Sequence, residues 1–304
     1  MATPVNVLSF GEILWDRIGG KEYIGGAPFN CAGHLARMGV RSLLVSSVGR
    51  DRLGEEALRR AGDIGVDTGF VRVHPGLPTG TVDVTLDAKG SPSFIIRENT
   101  AWDDIILEDG ALDALAREAP EAVCFGTLAQ RSGTNRATLA TILARLRPHH
   151  VLYDVNLRQN YYSREWIEYS LRHCTIAKCN DDEALLLSRM LFNRDMAQRD
   201  FAETLRESYG VGTVCITRGA DGAAVCDGSG FFEVPGIKVQ VADTVGAGDA
   251  FGAAFLAARI AGREAGAAAE FAVFIGSFVA SRDGAVPDYT DEVSARVRDM
   301  HGGR

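Results

Sequence analysis

Residues 243–251 read Asp-Thr-Val-Gly-Ala-Gly-Asp-Ala-Phe, and this stretch decides how the rest of the chain is interpreted. Two glycines, Gly246 and Gly248, open directly into an alanine-rich run that is typical of a helix. The backbone N–H groups of Ala247, Gly248 and Asp249 would point out of such a helix start, at the positive end of the helix dipole. Glycine leaves room for a ligand to touch the backbone. The stretch therefore predicts an anion site suited to a phosphate group.

Asp249 is the unusual residue of this stretch, because a carboxylate at the mouth of an anion site repels phosphate. Its placement makes sense if it faces a second substrate and accepts a hydroxyl proton as a phosphoryl group arrives. The alternative is structural, with Asp249 favouring the dipole of its own helix. Two other phosphate motifs are excluded. The chain has no GxxxxGK[ST] sequence, and Phe251 stands where the dinucleotide fingerprint requires its third glycine.

Apolar, β-rich runs alternate with helical patterns through most of the chain. This predicts an α/β fold with a mostly parallel sheet and helices on both faces. The predicted strands are 5–10, 42–48, 122–125, 151–154, 175–178 and 213–217. The predicted helices are 29–38, 53–64, 135–146, 163–172, 182–190, 199–209, 247–261 and 263–282. No linker, repeat or low-complexity tract divides the chain, so we expect one domain over residues 1–304.

Two stretches break this alternation early in the chain. Thr81–Leu86 alternates apolar and polar residues, and Ser93–Arg97 follows after a turn-forming segment, which together predict a hairpin. A short strand around Trp15–Tyr23 is expected to join it. We interpret this small antiparallel sheet as a lid over the carboxyl edge of the main sheet.

The charge balance limits the partners of this protein. Lys and Arg number 32 against 40 Asp and Glu, a net charge of −8 with a pI near 5.3. Such a surface repels nucleic acid and anionic membranes, so neither partner is expected. The chain has neither a signal-peptide pattern nor an apolar run of about 20 residues, which predicts a cytoplasmic protein. The six cysteines form no CxxC pair, which favours free buried thiols over disulfides or a zinc site.

Two segments of this sequence resemble the signatures of the ribokinase-like, or PfkB, carbohydrate kinases. Residues 243–251 match the C-terminal signature of that family at every position. Near the other end of the chain, Gly25–Ala32 followed by Leu35–Gly39 is similar to the N-terminal signature. The resemblance extends from Val5 to Pro287.

The resemblance implies a fold, an activity and a set of ligands. The fold is a three-layer α/β/α core with a mostly parallel sheet and a small antiparallel β lid, whose strands lie within about 12–26 and 79–104. The activity is transfer of the γ-phosphoryl group of ATP to a sugar hydroxyl, with Mg²⁺ as cofactor. A K⁺ site and a homodimer formed through the lid are further features to test.

The resemblance also implies roles for individual residues. The catalytic positions are Asp249 as base, with Gly246, Ala247, Gly248 and Arg158. The sugar-binding positions are Asp16, Gly25, Gly26 and Asn30. The nucleotide-binding positions are Asn180, Thr217, Gly219 and Gly222. The metal positions are Glu183, which would act on Mg²⁺ through water, and Asp243 and Val245, which would hold the monovalent cation. From its spacing alone, Asn180 to Glu183 reads equally as an N-capped acidic helix start.

The resemblance is strongest to bacterial fructokinases, through Glu12–Asp16, Glu98–Asp103 and Phe125–Arg131. Ribokinases usually carry a lysine after the paired glycines, where this chain has Ala27-Pro28. Fructose is therefore the predicted acceptor. A 2-keto-3-deoxygluconate kinase, an aminosugar kinase and a ribokinase are alternatives within the family.

Two other classes of protein remain open from the sequence, a sugar or nucleotide sensor without catalysis and a dinucleotide-dependent oxidoreductase. The base at Asp249 disfavours the sensor, and the failed fingerprint disfavours the oxidoreductase. Trp15 and Trp102 either flank the sugar pocket or are core residues at the base of the lid.

Overall fold

The computed structural model of the protein describes residues 5–86 and 92–302. Thirteen strands form two sheets in the described ranges. The strands are β1 (Asn6–Phe10), β2 (Leu14–Ile18), β3 (Lys21–Gly25), β4 (Arg41–Gly49), β5 (Val66–His74), β6 (Gly80–Leu86), β7 (Pro92–Ile96), β8 (Ala122–Gly126), β9 (His150–Asp154), β10 (Ile176–Asn180), β11 (Thr213–Thr217), β12 (Ala223–Asp227) and β13 (Gly230–Val234).

Ten α-helices accompany these strands within the same ranges. The helices are α1 (Ala27–Arg37), α2 (Arg52–Ile64), α3 (Ala111–Arg117), α4 (Gly133–Leu146), α5 (Arg164–His173), α6 (Asp181–Phe192), α7 (Gln198–Tyr209), α8 (Ala247–Ile260), α9 (Ala265–Ala280) and α10 (Asp291–His301). Over the described chain, no helix combines the length and the apolar character that crossing a bilayer requires.

The main sheet has nine strands in the order β13-β12-β11-β10-β9-β8-β1-β4-β5. Strands from β11 through β5 in this order pair in parallel, and β12 and β13 add an antiparallel edge. The chain runs from β1 to β4 and β5 on one side and later returns to β8 on the other. This reversal opens a crevice at the carboxyl ends of the strands, where ligands bind in open α/β sheets.

Two hydrophobic cores cover the two faces of this sheet. Helices α1, α8, α9 and α10 pack on one face, around Phe255 and Leu35. Helices α4, α5, α6 and α7 pack on the other, around Tyr153 and Phe201. The result is the three-layer α/β/α arrangement that was predicted. All six cysteines are buried and free, as expected.

The second sheet is the predicted lid, with four strands in the order β3-β2-β6-β7. It is built of two antiparallel hairpins that join through a parallel pairing of β2 with β6. The prediction of one strand around Trp15–Tyr23 is wrong, because Gly19 and Gly20 adopt positive φ and fold this stretch into the hairpin β2–β3. The predicted turn after β6 lies outside the described residues. The homodimer through this sheet stays a prediction.

Several elements escaped the sequence prediction. Strand β5 is interrupted by Gly69 and carries polar residues, so it lacks a clean periodicity. Helix α10 follows the last predicted helix and begins where the Thr290 hydroxyl accepts a hydrogen bond from the Val293 N–H. Helix α3 and the hairpin β12–β13 are short. Segments this short give only a weak periodic pattern, so their sequence does not reveal them.

Candidate active site

Helix α8 begins at the carboxyl edge of the main sheet, as residues 243–251 predicted. Gly246 is its N-cap and adopts φ 80°, where a Cβ would lie 2.7 Å from Ala285 atoms. Glycine is therefore required at this position for two reasons. The Ala247 N–H donates to the Thr244 carbonyl at 3.3 Å. The predicted trio of free N–H groups is thus reduced to those of Gly248 and Asp249.

Asp249 lies in the first turn of α8 and is partly buried. The Asn30 side-chain amide, on α1, donates to its Oδ2 at 2.7 Å. Burial raises the pKa of Asp249 to about 6, and the Asp154 carboxylate adds to the rise, while Asn30 and the cations Lys178 and Arg158 oppose it. At neutral pH the group is ionised yet basic enough to take a hydroxyl proton, which suits a general base.

A buried ion pair that the sequence analysis missed lies beneath Asp249. Lys178 Nζ, on β10, is 2.9 Å from both carboxylate oxygens of Asp154, at the end of β9. Both side chains are buried. Burial opposes the charge on Lys178, but Asp154 outweighs it and raises the lysine pKa. A Cβ on Gly248 would be 3.5 Å from Nζ, so the ammonium group lies directly under the start of α8.

The predicted sugar-binding residues come together on β2, β3 and the start of α1. Asp16 lies on β2 against Gly25 of β3, where a Cβ would meet its Oδ2 at 2.7 Å. Burial raises the pKa of Asp16 to about 6, with Arg158 lowering it and Asp243 raising it. Gly26 adopts φ 109°, and a Cβ there would lie 2.4 Å from the Glu12 carbonyl oxygen. Glycine is thus required at both positions, because a side chain would collide with Asp16 at Gly25 and with Glu12 at Gly26.

Glu12 follows β1 and is a member of the site that the sequence analysis did not single out. Only 3% of its surface is exposed. Burial raises its pKa to about 7, Asp249 adds to the rise, and Arg158 lowers it. A signal was available, since a glutamate directly after a buried strand that ends at the carboxyl edge must face either the core or the crevice.

Arg158 lies in the loop after β9 and is exposed. Two residues of this loop, Asn156 and Gln159, have positive φ, so the loop is sharply turned. Arg158 interacts electrostatically with Glu12, Asp16 and Asp249. The structure therefore brings the predicted arginine to the same pocket as the predicted base, even though they belong to different strand-to-helix units.

The predicted nucleotide-binding residues lie along the next strands of the same edge. Asn180 ends β10 and is paired in register with Thr217, the last residue of β11. Gly219 and Gly222 follow in a tight turn with positive φ, closed by a 2.8 Å hydrogen bond from the Arg218 N–H to the Gly222 carbonyl. A Cβ on Gly222 would clash with Val234. These four predicted positions are adjacent, although their contacts with a nucleotide stay a prediction.

Glu183 has a structural role at the start of α6. Its Oε2 accepts the Asn180 N–H at 2.9 Å, and Asn180 Oδ1 accepts the Glu183 N–H at 2.7 Å, which forms a capping box at the start of α6. Its Oε1 accepts the Leu157 N–H at 2.7 Å. Each oxygen keeps a further lone pair, so contact with Mg²⁺ through water stays a prediction.

The other predicted metal ligands are Asp243 and Val245. Asp243 Oδ1 accepts the Val245 N–H at 2.9 Å, which closes a small turn before α8. Throughout residues 5–86 and 92–302, no group of three or more His, Cys, Asp or Glu side chains could hold a metal ion. A bound cation would therefore need ligands from backbone carbonyls, water or the substrates.

The two tryptophans near the lid are core residues. Trp15 packs with Phe29 and Leu44, and its indole N–H donates to the Leu53 carbonyl at 3.0 Å. Trp102 is fully buried with Leu14 and other apolar residues under the lid. Of the two alternatives that the sequence left open for these tryptophans, the structure supports core residues, because Trp15 is 1% exposed and Trp102 is 0% exposed.

Comparison with known proteins identifies the family. Residues 10–291 match the model of the pfkB family carbohydrate kinases. The chain belongs to this family. It is therefore a carbohydrate kinase, a phosphotransferase, and the resemblance noted in the sequence is confirmed.

Three relatives show how broad the kinase family is. An uncharacterized sugar kinase of Pyrococcus horikoshii is 29% identical over 81% of this chain and 79% of its own. Its structure with ATP has a TM-score of 0.81 and 26% identity, covering 97% of this chain and 99% of that one. An ATP-dependent 6-phosphofructokinase of Thermoanaerobacterium thermosaccharolyticum is 27% identical over 94% and 91%. A fructokinase of Escherichia coli is 28% identical over 75% and 74%.

These identities establish a sugar kinase but not its acceptor. The relatives include enzymes named for a free sugar and for a phosphorylated one, at nearly equal identity. The choice between acceptors must therefore come from the pocket itself.

Proposed function

We propose that this kinase transfers the γ-phosphoryl group of ATP to a hydroxyl group of D-fructose, with Asp249 as general base. The observation that carries the proposal is the position of Asp249, at the start of α8, hydrogen-bonded to Asn30 and in electrostatic contact with Arg158. An anion site and a carboxylate base are thus joined in one turn of helix. A phosphoryl acceptor with a hydroxyl group is the chemistry that uses both.

The transfer step follows from this arrangement. The sugar oxygen attacks the γ-phosphorus, and its proton moves to the Asp249 carboxylate. The bond between the γ-phosphorus and the bridging oxygen breaks, and ADP leaves with the electron pair. The N–H groups of Gly248 and Asp249 and the Arg158 side chain stabilise the negative charge on the phosphoryl oxygens.

ATP as the phosphoryl donor is supported by the Pyrococcus horikoshii relative, whose structure contains ATP. In this chain Asn180, Thr217, Gly219 and Gly222 would hold the nucleotide beside α8. Mg²⁺ would neutralise the charge on the phosphates, since it prefers oxygen ligands and retains several waters. Glu183 fits only as a residue that contacts the ion through water, because both of its oxygens already accept backbone hydrogen bonds.

Fructose as the acceptor is supported by Ala27-Pro28 after the glycine pair, since this segment cannot supply the lysine typical of ribokinases. Initial rates of ADP release with D-fructose, D-ribose and 2-keto-3-deoxygluconate test this choice. We expect kcat/KM for fructose to exceed that for ribose by at least about tenfold. A preference for ribose would overturn the fructose assignment. Binding of both ATP and sugar without any turnover would favour the sensor.

A further inference from the structure

Two buried oxygens of the site lack a hydrogen-bond partner among the described residues, although the backbone N–H groups of Glu12 and Ala27 act on the Glu12 carboxyl group as a whole. Glu12 Oε2 and Asn30 Oδ1 are each shielded from solvent, and within the described part of the chain neither has a hydrogen-bond partner. Glu12 is 3% exposed and Asn30 is 4% exposed. Leaving such groups unpaired costs on the order of 1–3 kcal/mol each, and more when the group is charged. Protein interiors rarely retain such groups without a reason.

Both side chains lie beside residues predicted to bind the acceptor or to act as base. The Glu12 side chain packs on the glycine pair, where a Cβ on Gly26 would meet its Cγ at 3.3 Å. Glu12 interacts electrostatically with Asp249 and Arg158, which lie on separate elements. Asn30 uses its amide N–H to hold Asp249 at 2.7 Å, which leaves only its oxygen for another partner. Both side chains therefore interact with the predicted base, Asn30 through its amide N–H and Glu12 electrostatically.

The acidic groups of the site outnumber its free cations. Asp16 and Asp249, each with a pKa of about 6, are ionised at neutral pH, and Glu12, with a pKa of about 7, is ionised in part. The Arg158 guanidinium lowers the pKa of all three groups. The other nearby cation, Lys178, is held at 2.9 Å by both oxygens of Asp154. An anionic group placed among these carboxylates would meet repulsion that one exposed arginine only partly offsets.

We propose that Glu12 is a specificity-determining residue of the acceptor pocket, which accepts a hydrogen bond from a sugar hydroxyl or ammonium group and excludes sugars that carry a phosphate or carboxylate. This inference rests on the proposed kinase function and narrows its substrate class to uncharged and cationic sugars. Asn30 Oδ1 accepts a second hydrogen bond from the same ligand. The two oxygens demand donors, and hydroxyl and ammonium groups are the donors that sugars carry.

The inference separates this chain from part of its family. One relative is named a 6-phosphofructokinase, whose name specifies a phosphorylated acceptor. We expect this chain to reject that acceptor. The proposal about Glu12 also disfavours 2-keto-3-deoxygluconate as the acceptor, because Glu12 and Asp16 would repel the carboxylate of that sugar. D-Glucosamine, which is cationic, becomes a second acceptor to test beside D-fructose.

Two variants of Glu12 separate the effect of its charge from the effect of its shape, and a third variant is a control. Glu12→Gln keeps the shape and removes the charge, whereas Glu12→Asp keeps the charge and withdraws the oxygens. Glu55→Gln is the matched control, because Glu55 is an exposed acid at the start of α2, outside the pocket. For each protein, KM and kcat are measured with D-fructose, D-glucosamine, D-fructose 6-phosphate and 2-keto-3-deoxygluconate. Binding of the same sugars without ATP is measured by calorimetry.

We expect the wild-type protein and Glu55→Gln to bind the uncharged or cationic sugar at least about tenfold more tightly than the two anionic sugars. Glu12→Gln should raise the KM for the preferred sugar about 10- to 100-fold, with a smaller change in kcat, and should narrow the discrimination against anions. Glu12→Asp should raise KM but keep that discrimination, because the charge remains.

Two results would overturn the inference. One is a wild-type protein that prefers an anionic sugar. The other is a Glu12→Gln variant with unchanged sugar affinity, which would make Glu12 a residue of the fold alone. If Glu12→Gln does not fold, the inference is tested by the sugar affinity of Glu12→Asp and by the comparison of the four sugars with the wild-type protein. Binding without ATP tests Glu12 even if no phosphoryl transfer occurs, so failure of the kinase proposal and failure of this one are distinguishable.

Discussion

Asn30 donates a 2.7 Å hydrogen bond to Asp249, although the two residues are 219 positions apart in the chain. The bond joins the start of α1 to the start of α8, and hence the two segments that carry the family signatures. It fixes one carboxylate oxygen of the base and favours the ionised form. The position and the charge of the proposed base thus depend on a residue from the opposite end of the chain.

The position of the acid limb in the pH profile of kcat/KM should depend on the hydrogen bond between Asn30 and Asp249. Burial raises the Asp249 pKa to about 6, and the hydrogen bond from Asn30 opposes the rise. A general base acts only when it is deprotonated, so kcat/KM should rise with pH through about 6 and then level off. Asn30→Leu removes the donor, and we expect the limb to move to higher pH.

The profile should be recorded as kcat/KM between about pH 5 and pH 9 at constant ionic strength. Asn30→Leu should also weaken sugar binding, so the position of the limb, and not the height of the plateau, carries the result. An acid limb at the wild-type position would mean that Asn30 does not act on the base.

Asp249→Asn should nearly abolish turnover while ATP binding survives. The amide cannot accept the hydroxyl proton, and loss of a general base lowers kcat by ~10²–10⁴-fold. ATP affinity, measured by calorimetry, should change little, because the N–H groups of α8 remain. Asp291→Asn is the control, since Asp291 also lies in the first turn of a helix, α10, and is exposed. A kcat above about a tenth of wild type would remove Asp249 from the role of base.

Glu183→Gln should change both stability and the requirement for Mg²⁺. The glutamate accepts two backbone N–H groups, and an amide in its place would turn an N–H toward one of these donors. We therefore expect a lower Tm, measured by calorimetry. If Glu183 also orders water around the metal, the Mg²⁺ concentration for half-maximal rate should rise ~10–100-fold. A lower Tm with unchanged Mg²⁺ dependence would leave Glu183 with its capping role alone.

The lid should close over the sugar. Its strand β7 is followed by Glu98, which accepts a 2.8 Å hydrogen bond from the Tyr161 hydroxyl in the loop after β9. This bond crosses from the lid to the core, near Arg158. Closure would exclude water and suppress hydrolysis of ATP. Hydrogen exchange of β6 and β7 should therefore slow when sugar is added.

Saturating sugar should protect the amides of Gly80–Leu86 and Pro92–Ile96 by at least about tenfold, whereas those of α10 should be unaffected. Tyr161→Phe removes the crossing hydrogen bond and should reduce this protection. Identical exchange of the lid with and without sugar would contradict closure.

The sequence by itself determined the fold class and most of its main strands and helices. The alternation of apolar strands and amphipathic helices is local, and it survives in the structure from Asn6 to Ala280. The start of α8 was also predictable, because Gly246 permits the positive φ of the N-cap and an alanine-rich run follows it. Local patterns failed for Trp15–Tyr23, where Gly19 and Gly20 fold one predicted strand into a hairpin.

Which charged side chains lie together depends on the tertiary structure. Glu12, Asp154 and Lys178 belong to three different strand ends or strands, and the local sequence of Asp154 and Lys178 does not show that they pair near Asp249. Parallel strands bring their carboxyl ends to one edge, so side chains far apart in the chain share one buried site. Burial then raises the pKa of Glu12 and of Asp249, and the low dielectric strengthens the charge interactions around them. The fold class thus followed from the local pattern, whereas the electrostatics around Asp249 followed from the packing of the sheet.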